Sequence, residues 1–151
     1  MIRRQFIATL AATPLAAALP RPVLAGESPI CAKDGLAIGG ADAVAYFTDD
    51  AYVPGRPDHA LMWRGAVWLF DRTETMAAFE MDPTAWCPQF GGYCAYAMSR
   101  GIISHSDPSP WLVEDGALYL CTTLLARSLL RRDLPGNLAA ARASWPAVLG
   151  G

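Results

Sequence analysis

Hydrophobic positions recur with two different periods along this chain, and the changes of period divide it into elements. Residues 60–70, ALMWRGAVWLF, hold two apolar runs rich in Trp, Val and Phe on either side of Arg64-Gly65, which predicts a β-hairpin. Residues 111–120, WLVEDGALYL, alternate around Asp115-Gly116, a pair suited to a primed two-residue turn, and predict a second hairpin. Helical spacing appears elsewhere. In RTETMAAFEMDP, Thr73 is placed to cap, Met76 and Phe79 share a face, and Pro83 ends the helix. Asp42, after Gly39-Gly40, is placed to cap a short helix carrying Val44, Tyr46 and Phe47. TDDAYVPGRPDH between them reads as loop. Beyond the second hairpin come two helices separated by Leu134-Pro135-Gly136. The first carries Leu125, Leu129 and Leu130, and Trp145-Pro146 closes the second. Two hairpins and about four short helices make a small single α+β domain. Trp63, Trp68, Trp86, Trp111, Trp145 and Phe79 are assigned to its core.

The first 25 residues break this pattern. Arg3 and Arg4 precede an Ala/Leu-rich run from Phe6 to Leu19, and Val23-Leu24-Ala25 supplies a small-residue cleavage signature. Paired arginines followed by Gln5-Phe6 resemble a twin-arginine export signal, so the expected partner is that export machinery, engaged through Arg3 and Arg4. Pro14 and Pro20 interrupt the run, which is too short to span the about 20 residues of a membrane core. Ser28-Pro29-Ile30 before Cys31 does not resemble a lipidation box. The expected organisation is a cleaved signal at 1–25, a linker at 26–35 and one domain at 36–149, in the periplasm or another extracytoplasmic space.

Cleavage changes the charge. Three of the 12 Lys and Arg residues lie in the signal (Arg3, Arg4, Arg21) but none of the 14 Asp and Glu, so a formal net charge of −2 becomes −5. An acidic domain without a basic run is a poor partner for nucleic acid or for an anionic membrane surface. Small ligands, cations or other proteins are the expected partners.

Several motifs in order, IGGADAVAYF, MWRGAVWLF, FEMDPTAW, PQFGGYCAYAMSRG, SDPSPWLVEDGALYL and DLPGNLAAARASWP, resemble exported proteins of the YHS-domain family over about residues 36–149. The resemblance implies a treble-clef-like α+β module associated with metal handling, notably of copper and other soft cations. The phenylalanines of the metal-binding version fall on Phe70 and Phe79 and its proline on Pro83, whereas its two cysteine positions fall on Asp71 and Thr75. The metal-binding thiols of that version are therefore absent. This chain carries Cys94, in GGYCAY, instead.

Four cysteines, Cys31, Cys87, Cys94 and Cys121, allow three disulfide pairings, among them a Cys87–Cys94 loop and a Cys31–Cys121 tie. If a helix begins near residue 93, Cys94 sits at its start, where unpaired N–H groups favour thiolate. Tyr93, Tyr96 and Met98 surround it; the Met98 thioether is of a kind that can add a copper ligand, but beside aromatics it reads as core filling. His105 and Asp42 are the first candidate co-ligands, with His59 and Asp107 behind them. There is no CxxC, HxxxH or HExxH spacing, no phosphate loop and no hydrolytic dyad, which leans away from an enzyme. The leading expectation is an exported metal-binding domain for a soft cation such as copper, held by Cys94, His105 and Asp42. The alternatives are a thiol-redox protein using Cys94 and Cys87, or a cofactor-free accessory domain with structural disulfides.

Overall fold

A computed structural model describes residues 26–150 of the chain, so the expected export signal lies outside the described residues. Ala32–Lys33 (β1) and Leu36–Ala37 (β2) pair antiparallel, and β2 lies parallel to the later strand Ala66–Phe70. The α1 turn (Ala45–Thr48) leads into the first hairpin, β3 (Arg56–Trp63) and β4 (Ala66–Phe70), completing a four-stranded sheet of order β1-β2-β4-β3. Then come α2 (Thr73–Met81), α3 (Pro83–Trp86) and α4 (Ala95–Ser99). The second hairpin, β5 (Asp107–Glu114) and β6 (Ala117–Cys121), forms a separate two-stranded sheet. Helices α5 (Leu124–Arg132) and α6 (Leu134–Ser144) close the chain. The molecule is a mixed α+β domain with two sheets and six α-helices among the described residues.

Both hairpins turn where the sequence places them. Arg64, Gly65, Asp115 and Gly116 all have φ between 47° and 77°, the left-handed conformation a primed turn requires. Strand β3 starts earlier than the apolar pattern suggests, because a bulge between Arg56 and Ala60 lets the polar segment join the ladder. Thr73 is the first residue of α2 rather than its cap, and Pro83 both ends α2 and opens α3, where Asp82 accepts from the Ala85 N–H. Pro135-Gly136 falls in the first turn of α6, so the break between the last helices is Asp133, whose carboxylate accepts from the Gly136 N–H.

The segment at 26–35 is not a free linker. Ile30 and Cys31 are buried, the Cys31 N–H donates to the Gly91 carbonyl at 2.9 Å, and the Tyr93 hydroxyl donates to the Ser28 carbonyl at 2.8 Å. This docking depends on Gly91, where φ is 61° and an added Cβ would run into the Pro29 carbonyl.

Two hydrophobic clusters make the core. The first gathers Trp68, Phe70, Phe79 and Tyr46 with Ile30, Ile38 and Val44. Trp63, Trp86 and Trp111 pack against it partly exposed. The second gathers Phe90, Tyr93, Met98, Leu112, Tyr119, Leu130 and Leu138 with Cys31, Cys94 and Cys121. Strand β6 lies between them and uses its period of two: Leu118 and Leu120 enter the first cluster, Tyr119 and Cys121 the second. Leu130 is the only buried residue of α5, while Leu125, expected on the same inward face, is 67% exposed.

Candidate functional site: a buried thiol pair

Cys94 is the N-cap of α4, with its carbonyl accepting from the Met98 N–H at 2.9 Å. Its own N–H donates to the Ser104 carbonyl at 2.9 Å, and it forms a parallel bridge with Leu120. That bridge brings the end of β6 alongside it, and Cys94 and Cys121 share the second cluster. All four cysteines are free thiols. Cys94 is 2% exposed and Cys121 fully buried.

The pair is strongly polarised. The neighbouring Cys121 thiol, with smaller contributions from the Thr122 hydroxyl and the backbone at Ala97 and Thr122, favours the thiolate and pulls the Cys94 pKa down to about 5, against the opposing effect of burial. Cys121 moves the other way, held protonated by Cys94 and by burial. The two shifts oppose each other, favouring thiolate at Cys94 and thiol at Cys121.

Polar residues flank the pair: Ser104, whose carbonyl accepts from the Cys94 N–H, and Thr122, which follows Cys121. Ser104 Oγ lies 3.1 Å from Thr122 Oγ1, and the Thr122 hydroxyl donates to the His105 carbonyl at 2.9 Å. Thr122 and His105 are themselves exposed. The Thr122 hydroxyl has one proton, so it serves either the His105 carbonyl or the Cys94 sulfur at a given moment.

The other expected ligands are employed elsewhere. Asp42 is fully buried beside the first cluster, and both its oxygens are taken. Oδ1 accepts from the N–H groups of Val44 at 3.0 Å and Ala45 at 3.2 Å; Oδ2 accepts from the Asp71 N–H at 2.9 Å and the Thr75 hydroxyl at 2.6 Å. It is the helix cap the sequence suggested, and it also anchors the end of β4 to α2. Asp71 and Thr75, the positions where the resemblance places thiols in relatives, here donate to that carboxylate. His105 sets its ring edge-on to Tyr93, with centroids 5.7 Å apart. His59 has Nδ1 3.2 Å from the Asp71 carbonyl and Nε2 3.4 Å from Thr73 Oγ1. Asp107 Oδ1 accepts from the Ser109 N–H. Among the described residues no three His, Cys, Asp or Glu side chains are grouped to hold a metal ion, so Cys94, His105 and Asp42 do not form a three-ligand site.

Cys87 packs against the first cluster, not beside Cys94; its thiol donates to the Pro88 carbonyl at 3.4 Å and burial pushes its pKa up to about 12. Cys31 borders the thiol pair. Its sulfur is 4.0 Å from Ser106 Oγ, and burial raises its pKa. A cavity of about 240 Å³ is lined by Cys31, Lys33, His105, Ser106 and Asp107. Cys121 and Thr122, which complete the site, stand 27 and 28 residues after Cys94 and carry no motif that links them to it.

The chain matches no protein-family model, no curated protein and no solved structure. The YHS resemblance rests on the sequence motifs.

Proposed function

We propose that this is an exported thiol-redox protein in which Cys94 is the reactive thiolate and Cys121 the resolving thiol. The observation that carries the reading is the pairing of Cys94 and Cys121 in one buried cluster, with Cys94 at the start of a helix. A thiolate at neutral pH is the species that attacks an oxidant, and an adjacent protonated thiol is placed to displace the product and close a disulfide. The pair replaces the expected Cys94–Cys87 couple, because β6 delivers its last residue to Cys94 while Cys87 faces the other cluster. An oxidising compartment, which the export signal implies, gives a dithiol its substrate.

The decisive experiment is an equilibrium one. The purified mature protein is incubated to constancy in dithiothreitol buffers of graded potential and mapped by proteolysis and mass. The expectation is one reversible two-electron transition assigned to a Cys94–Cys121 disulfide, absent in Cys94→Ser. A disulfide between other cysteines, or none at any potential and none with peroxide, refutes the reading.

Soft-cation binding is the second reading, favoured by the same paired sulfurs, because two thiolates satisfy a linear copper(I) ion. His105 and Asp42 have no part in it. Stoichiometric copper(I) in the wild type that is lost in both Cys94→Ser and Cys121→Ser would support it.

A further inference from the structure

The depth of the pair restricts what can oxidise it. Attack on a disulfide needs three sulfurs in line, so the substituents of the substrate must enter with its sulfur. Here the target residue is 2% exposed, and the neighbouring Ser104, His105 and Thr122 are tied to one another by hydrogen bonds. The hydroxyls of Ser104 and Thr122 can hydrogen-bond a small polar molecule replacing their mutual contact. The cavity of about 240 Å³ beside Cys31, His105 and Ser106 is lined by neither Cys94 nor Cys121, so it opens no wide approach to the pair.

Resting on the thiol-redox reading, we propose that the substrate of the pair is a small hydroperoxide, hydrogen peroxide or a compact alkyl hydroperoxide, and that Cys121 is both its proton donor and the resolving thiol. The Cys94 thiolate attacks the distal peroxide oxygen and the O–O bond breaks. The Cys121 thiol gives its proton to the departing oxygen, which leaves as water or alcohol, while Cys94 becomes a sulfenic acid. The Cys121 thiolate then attacks the Cys94 sulfur and the S–O bond breaks. Hydroxide leaves, takes a proton from solvent and departs as a second water. The two thiols lose two electrons and the peroxide gains them.

The test compares oxidants on the reduced mature chain, with hydrogen peroxide and oxidised glutathione at equal concentration and the Cys94–Cys121 disulfide followed by mass. Peroxide is expected to close the disulfide faster by at least about tenfold, since exchange rates depend on access. In Cys121→Ser, peroxide is expected to leave a sulfenic acid on Cys94 that a cyclic 1,3-dione traps. Equal rates for the two oxidants, or faster closure by glutathione disulfide, overturn the substrate assignment. So does failure of peroxide to close a pair that the dithiothreitol buffers do oxidise; in both cases the redox reading stands. A pair that no oxidant or buffer closes removes the redox reading itself. If Cys121→Ser does not fold, the wild-type comparison decides alone.

Discussion

Replacing Asp42 by alanine separates a structural carboxylate from a ligand. The side chain is fully buried and accepts four hydrogen bonds, from two helix N–H groups, the Asp71 N–H and the Thr75 hydroxyl. Losing the cap costs about 1 kcal/mol. The Asp71 N–H is left buried without a partner, at about 1–3 kcal/mol. Thr75 suffers less, because its hydroxyl also reaches the Arg72 carbonyl at 3.1 Å, so its charge-assisted bond costs about 1–2 kcal/mol. The sum, about 3–6 kcal/mol, is a large share of the about 5–15 kcal/mol that holds a domain together. Asp42→Ala is therefore expected to be marginally folded. Asp42→Asn, which keeps Oδ1 for the helix but turns an amide toward two donors, is expected to lose about half as much. Urea unfolding followed by tryptophan fluorescence measures both, with and without a chelator. Asp42→Ala within about 1 kcal/mol of wild type at an unchanged slope would refute the account, and a chelator-dependent wild-type midpoint would return Asp42 to the ligands.

Three further expectations concern the thiols and their frame. Ultraviolet absorbance of the reduced protein should report one thiolate appearing near pH 5, absent in Cys94→Ser, with its midpoint raised in Cys121→Ala. The folded pKa of Cys94 lies below its ordinary value of 9.0, so the folded state gives up that proton first. This contribution to stability is complete above pH 9, falls by up to about 1.4 kcal/mol per unit as pH drops toward 5, and is lost below it; a chemical-denaturation series across that window, wild type against Cys94→Ser, checks the slope. Thr122→Val should raise the Cys94 pKa and slow peroxide oxidation without changing the unfolding midpoint by more than about 1 kcal/mol; an unchanged thiolate titration would count against the hydroxyl's role. Gly91→Ala should lower the urea midpoint strongly, because its Cβ meets the Pro29 carbonyl in a left-handed conformation, and a wild-type midpoint would show that residues 26–31 are not held as described.

What the sequence made legible is what local chemistry decides. Arg64-Gly65 and Asp115-Gly116 adopt positive φ because two-residue turns demand it, and the strands on either side follow. Asp42 caps its helix because a carboxylate two residues before a free N–H does so wherever the chain turns. Cys94 sits at a helix start for the same local reasons. The strands at 32–33 and 36–37 have no such signal: two residues are too few to display a period, and their pairing comes from docking on Gly91 and Val67. The exposure of Leu125 shows the other limit, since a helical spacing of leucines does not say how much of a nine-residue helix finds a partner. The identity of the second sulfur needed the parallel contact of residue 94 with residue 120, which no spacing encodes.

The polarity of the pair follows from where two elements stop. Strand β6 ends at Cys121, and Thr123 turns its hydroxyl to the Ala126 N–H to start α5. Thr122, between the two, owes its N–H to neither ladder nor helix, and the backbone there favours the Cys94 thiolate. Cys94 in turn opens α4, whose first N–H groups have no carbonyl four residues back, and the backbone at Ala97 favours its thiolate. The backbone at these two element ends, with the Cys121 thiol, outweighs the cost of burying a charge. Cys121 receives less, a single N–H from Tyr96 against the repulsion of the charged sulfur and its own burial, so it keeps its proton. Exchanging the thiol at 94 for serine should therefore release Cys121 toward an ordinary thiol titration, whereas a pair whose asymmetry came from burial alone would leave Cys121 as high as before.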